Sequence, residues 1–176
     1  MNRYEGEAVY EFVIRPPVVI LIVAAAVALA GLIAVAAKKQ RGAATWIGLG
    51  VAIAAALALI IFLYRPVTIR VDRDALSISG PGGAVLPWER VTSAVYADDL
   101  RNSSWRPTVR TSGIAIGDYR TGRFLLSNGR SARVYTEQTD AAVVVQTGDA
   151  VFVIAPSDVA GLRDAIDASR TIPQSR

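Results

Sequence analysis

The sequence predicts a membrane-anchored α+β protein, a two-helix transmembrane hairpin followed by a β-barrel-like domain of about seven strands capped by a C-terminal helix. Three observations carry the prediction. Val18 to Ala37 and Thr45 to Leu63 are 20 and 19 residues without a charge. As helices each is about 30 Å long, the thickness of a bilayer's hydrocarbon layer. From Val67 the apolar period changes to two, and after Pro156 it changes again to a helical spacing.

The chain divides into an N-terminal juxtamembrane segment (1–17), the two spans (18–63), a folded domain (64–170) and a flexible tail (171–176). Residues 1–17 mix acids and arginines with Tyr4, Tyr10 and Phe12 and stop at Pro16-Pro17, which opens the first helix where a missing amide hydrogen costs little. Tyr10 and Phe12 suit a headgroup layer. A cleaved signal peptide is the rival account, because Ala34-Val35-Ala36 has the small-x-small pattern. The acidic leader, the full spanning length and the second apolar run oppose it.

Gly31, Gly48 and Gly50 with many alanines let the two helices approach closely. Neither run holds an ionisable residue, so an anchor is favoured over an ion or proton path. Lys38, Lys39 and Arg41 crowd the joining loop and act as topology determinants, placing that loop in the cytoplasm and the domain outside it, in the plasma membrane.

Within the domain, Val67, Ile69 and Val71 alternate with Thr68 and Arg70, and Leu76 and Ile78 follow beyond Asp72-Arg73-Asp74, predicting a strand pair. Gly80-Pro81-Gly82-Gly83 turns the chain into Val85 to Trp88, and the strand resumes at Val91 to Tyr96. Asp98 to Ser104 is polar loop, and Thr108 to Ile116 is a strand broken at Gly113. Asn128-Gly129 between Phe124–Ser127 and Arg130–Thr136 predicts a two-residue hairpin turn, and Thr147-Gly148-Asp149 repeats the pattern. Ser157 can cap the last helix, with Asp158 at its positive end, and Val159, Leu162, Ala165 and Ile166 share one face.

The chain has no cysteine and no histidine, which removes disulfides, thiolate metal sites and the commonest general base. No cofactor, metal or catalytic residue is expected. Asp98-Asp99 point apart on an extended chain and lack a partner for acid–base work, the glycines from 113 to 122 lack a P-loop ending, and Trp88 is better read as core than as a ligand platform. From Tyr64 onward 14 arginines meet 12 acids, so the domain is not a nucleic-acid binder by overall charge. Between Leu100 and Arg133, however, seven arginines face Asp118 alone. Arg101, Arg106, Arg110, Arg120 and Arg123 are therefore the candidate basic surface. The bland account is a solvated face with scattered partners. The sharper one is a contact with anionic headgroups.

The order of elements resembles a pleckstrin-homology (PH) domain, in particular the bacterial PH-domain membrane proteins with N-terminal transmembrane helices. The residues that carry it are Thr68 to Asp72 with Leu76, Leu86-Pro87-Trp88, Gly117 to Phe124, Ser127 to Arg130, Val134-Tyr135-Thr136 and Ile154 to Asp158. The resemblance implies a fold, and Asp72-Arg73-Asp74 replaces the basic turn by which inositol-lipid-binding members hold phosphate. The function expected is a non-enzymatic, membrane-tethered PH-like module that recognises a protein segment or an anionic membrane surface. Its partners would be membrane lipids and a protein, not nucleic acid. The alternative is an assembly subunit packed through its hairpin, and an enzyme on a lipid or envelope substrate is a third, weaker reading.

Overall fold

The computed structural model describes residues 10–18, 66–80 and 82–171, together with residues 22, 25–27, 29–31, 48, 50, 51, 53–55 and 58. The chain forms two compact units, one of residues 15–65 and one of residues 1–14 with 66–176.

Among the described residues no helix is long and apolar enough to cross a membrane. This corrects the two-helix transmembrane hairpin, the multi-pass assignment and the plasma-membrane placement with its outward-facing domain. An apolar run reports avoidance of water, whereas a span needs about 20 residues in one continuous helix so that every backbone group is bonded within it. Lys38, Lys39 and Arg41, the topology determinants, lie outside the described residues, as does the tail from 172 to 176.

The second unit is mostly β-sheet with a C-terminal helix. One sheet has four antiparallel strands in sequence order, β1 (Tyr10–Ile14), β2 (Val67–Val71), β3 (Ala75–Ser79) and β4 (Ala84–Pro87). The other has six, in the order β5 (Val91–Ala97), β9 (Ala142–Thr147), β10 (Val151–Ala155), β8 (Ser131–Thr136), β7 (Tyr119–Leu126) and β6 (Pro107–Ile116). Helix α1 (Val159–Thr171) follows and packs against β1, β2 and β9, touching both sheets.

The period-two expectation holds in β2 and β3, where Val67, Ile69, Val71, Leu76 and Ile78 are all buried and Ile69 pairs with Ile78. Trp88, in a single 3-10 turn after β4, is buried too. Its indole nitrogen donates to the Asp72 carbonyl at 2.9 Å and its backbone amide to that of Asp74 at 3.1 Å. It thereby clamps the β2–β3 turn and is core.

Two features differ from the sequence expectation, and a third, the place of β10 in the sheet, is one on which the sequence was silent. The N-terminal segment is not confined to a headgroup layer, because Tyr10–Ile14 pairs antiparallel with β2 from Tyr10 opposite Val71 to Ile14 opposite Val67. Strand β10 separates β8 from β9, running parallel to β8 and antiparallel to β9. All five of its residues are buried, and a strand covered on both faces belongs in the middle of a sheet. The Asn128-Gly129 turn is a three-residue loop. The Gly129 amide donates to the Leu126 carbonyl at 3.0 Å, the Leu126 amide to that of Arg130 at 2.8 Å, and only Gly129 has positive φ. A two-residue type I′ turn needs positive φ at both centres, so the chain uses a type I turn closed by a glycine bulge.

Helix α1 buries the expected face of Val159, Leu162, Ala165 and Ile166. Its cap is Asp158, whose Oδ1 accepts the Gly161 amide at 2.8 Å, while the first helical bond joins Leu162 to the Asp158 carbonyl.

Candidate binding surfaces

The five candidate arginines lie on or beside the long β6–β7 ribbon, and the structure divides them. Arg101 is committed to structure: its guanidinium donates to the Thr139 hydroxyl at 2.7 Å and meets Asp118 at 3.2 Å and Asp140 at 3.4 Å. Arg120 folds back to donate to the Pro107 carbonyl at 2.9 Å. Arg106, Arg110 and Arg123 are exposed, and their side chains have no partner among the described residues. Of the neighbours in the same basic stretch, Arg130 bonds Gln146 and lies over Trp105, and Arg133 bonds the Gly82 carbonyl at 3.2 Å and lies over Phe152. The expected seven-arginine field is thus three free cations and four structural ones.

Two glycines shape the ribbon. Gly113 and Gly122 face each other across β6 and β7, with φ of +104° and +128°. A Cβ on either would sit 2.7 Å from the other's Cα. Only glycine permits that approach and that φ together. The ribbon's tip is then pinned, because Thr136 donates to the Asp118 carbonyl at 2.8 Å and Thr139 to its carboxylate at 3.0 Å.

Register places Arg110 opposite Phe124 and Arg123 opposite Ser112. Phe124 is buried and Arg123 is its chain neighbour, so Arg110 and Arg123 belong to opposite faces of the ribbon. Arg123 also stands directly opposite Arg133 on β8. The three strands β6, β7 and β8 contain no acid.

A different geometry occurs at β5, an edge strand of the six-stranded sheet. Val95 and Tyr96 are 40% and 38% exposed. A cleft of about 260 Å³ runs between this strand and α1, lined by Ala94, Val95, Tyr96, Val143, Arg163, Ile166 and Asp167. The Arg163 guanidinium lies over the Tyr96 ring, 5.2 Å from its centroid. Sequence reasoning missed this cleft because its parts are separated by some 70 residues, although the exposed apolar pair in a predicted strand was a signal.

Asp98-Asp99 forms no carboxylate dyad. Asp99 accepts the Asn102 side-chain amide at 2.7 Å and the Asn102 backbone amide at 3.1 Å, and these bonds hold its carboxyl below the ordinary range. Leu100, read as part of a polar loop, is fully buried. Burial pushes the Tyr119 and Tyr135 phenols up, and the Tyr135 hydroxyl donates to the Gly82 carbonyl at 2.6 Å. Among the described residues no group of three His, Cys, Asp or Glu side chains is placed to hold a metal ion.

No curated protein and no solved structure matches the chain. Residues 67–169 match the family described as Bacterial PH domain, which covers β2 through nearly all of α1. With more than half its length in that match, and with paired sheets closed by a C-terminal helix, the chain belongs to the Bacterial PH domain family.

Proposed function

We propose that the domain is a non-catalytic module that binds an extended protein segment along the free edge of β5, against α1. Family membership supports the coarser class, since PH domains are generally binding modules without catalysis. The observation that carries the finer reading is the pairing of an unpaired strand edge with a helix-flanked apolar cleft. The edge of β5 offers backbone donors and acceptors to an added strand, while Val95, Tyr96 and Ala94 give its side chains an apolar seat. The cleft wall carries one charge of each sign, Arg163 and Asp167, 3.7 Å apart on α1.

A photo-crosslinker placed at Val95 of the full-length chain, in the cells that make it, should trap one protein through a single extended peptide. Ala94→Arg should abolish the adduct. An equal yield from a crosslinker at Thr111, on the far edge of the same sheet, or no adduct at Val95, overturns the reading.

The second reading is contact with an anionic surface. It is favoured by Arg106, Arg110 and Arg123, which stand free beside strands that carry no acid. Their placement on both faces of the ribbon supports a diffuse electrostatic contact over a shaped pocket.

A further inference from the structure

The family match begins at Val67, yet the sheet that contains Val67 has a strand before it. That strand, Tyr10–Ile14, is separated from β2 in sequence by the whole of residues 15–65, which form a compact unit of their own. The edge of β2 is thus occupied by a segment from outside the family domain. Five register pairs join the two strands.

The contacts spell out what this edge recognises. Tyr10, Phe12 and Ile14 share one strand parity. Ile14 is 0% exposed and Phe12 packs against the core, so these two seat inward, while Tyr10 at the strand's start is 42% exposed. On the other parity, Glu11 pairs with Arg70 at 3.2 Å, directly opposite it in register. Helix α1 packs against both β1 and β2, forming the wall beside the seated strand.

We infer that the β2 edge is a strand-docking site whose ligand is the segment Tyr10–Ile14 of this chain, held in cis and exchangeable with the same segment of a second copy. A strand joined to its seat through residues 15–65 gains only the modest advantage of a long tether, because closure entropy grows slowly with length and effective concentrations fall toward the millimolar range or below. The same contacts are available to a second copy's segment at high concentration, which is the physical basis of strand exchange. The recognition chemistry is an acidic residue, Glu11, followed by two inward apolar residues, Phe12 and Ile14, read by Arg70 and the core edge. This site is separate from the β5 cleft and does not depend on it.

The probe is a fluorescein-labelled peptide of residues 9–15. Full-length chain with its own strand seated should bind it at least tenfold more weakly than full-length chain carrying Phe12→Asp and Ile14→Asp, whose strand cannot seat. Adding Arg70→Glu to that variant should weaken uptake several-fold, by setting like charges face to face, and a peptide carrying Glu11→Lys should recover it. Should the double variant lose its strand circular dichroism, Glu11→Lys in the chain serves instead. It touches no core residue, sets a like charge against Arg70, and should raise uptake of the unaltered peptide. Equal uptake by the unaltered chain and the folded variant, no uptake by the folded variant, or indifference to the Arg70 charge swap overturns the inference.

Discussion

Arg101, in the segment between β5 and β6, and Asp118, in the β6–β7 turn, are joined by an ion pair of 3.2 Å, and the same guanidinium bonds Thr139, whose hydroxyl also donates to Asp118. The lone acid of the basic stretch is therefore the pin that fixes the β6–β7 tip. Both charged side chains are about half exposed, so the pair itself contributes little. Arg101→Ala and Asp118→Ala should each destabilise by about 1 kcal/mol or less through the ion pair, with coupling in a double-mutant cycle near 0.5 kcal/mol. Chemical denaturation of the four proteins measures it, and a coupling near zero would mean that Thr136 and Thr139 alone hold the tip.

The glycine contact makes a sharper claim. Gly113→Ala and Gly122→Ala each set a Cβ against opposing backbone at positive φ, and each should cost at least about 1–3 kcal/mol. Gly117→Ala, also at positive φ but with open space around its Cβ, should cost less, about 1 kcal/mol. A rank order in which Gly117→Ala is the most damaging would contradict the close approach of the two strands.

Alkaline pH should unfold the domain through its buried phenols. Tyr119 and Tyr135 have folded-state pKa values above the ordinary tyrosine value, chiefly because burial opposes the phenolate. A raised folded pKa gives stability that is complete below the unfolded value, near 10, and is lost as pH rises through the folded value. Tyr135→Phe should therefore flatten the loss of stability above pH 10. At neutral pH it should cost about 1 kcal/mol, as the bond to Gly82 goes. Denaturant midpoints from pH 7 to 11 test both signs.

The free arginines predict a salt-dependent contact. Replacing Arg106, Arg110 and Arg123 together with Gln should remove most binding of the full-length chain to anionic vesicles at low salt. Stability should change by no more than about 0.5 kcal/mol per exposed site. Replacing Arg101 and Arg120 instead should spare that binding, because both guanidinium groups are already engaged. If the second pair matters as much as the first three, the division between free and structural arginines is wrong.

The asymmetry between what was legible and what was hidden follows from the range of the interactions. Val67, Ile69, Val71, Leu76 and Ile78 announced their strands because side chains alternate across a pleat whatever the strand pairs with. The face of α1 and the glycine in the 126–130 turn were equally visible, for local geometry alone requires them. Length and apolarity, by contrast, could not establish a continuous spanning helix from Val18 or from Thr45, since apolar content does not fix the conformation of each residue in the run.

Pairing partners were decided only in three dimensions. Tyr10 and Phe12 suited a headgroup layer by sequence, and nothing local says that they form a strand whose neighbour lies beyond residue 65. Nothing local places β10 between β8 and β9 either; its fully apolar run has to be covered on both faces, and the sheet order supplies the cover. The arginines show the same limit: sequence counts charge, whereas only the positions of Asp118, Thr139 and the Pro107 carbonyl determine that Arg101 and Arg120 are engaged while Arg106, Arg110 and Arg123 remain free among the described residues. Sequence by itself determined the strand periodicity, the places of the turns and the closing amphipathic helix, because these are properties of neighbours along the chain. The tertiary structure decided the edges, the cleft and the usable charges, because these depend on groups that only folding brings within bonding distance.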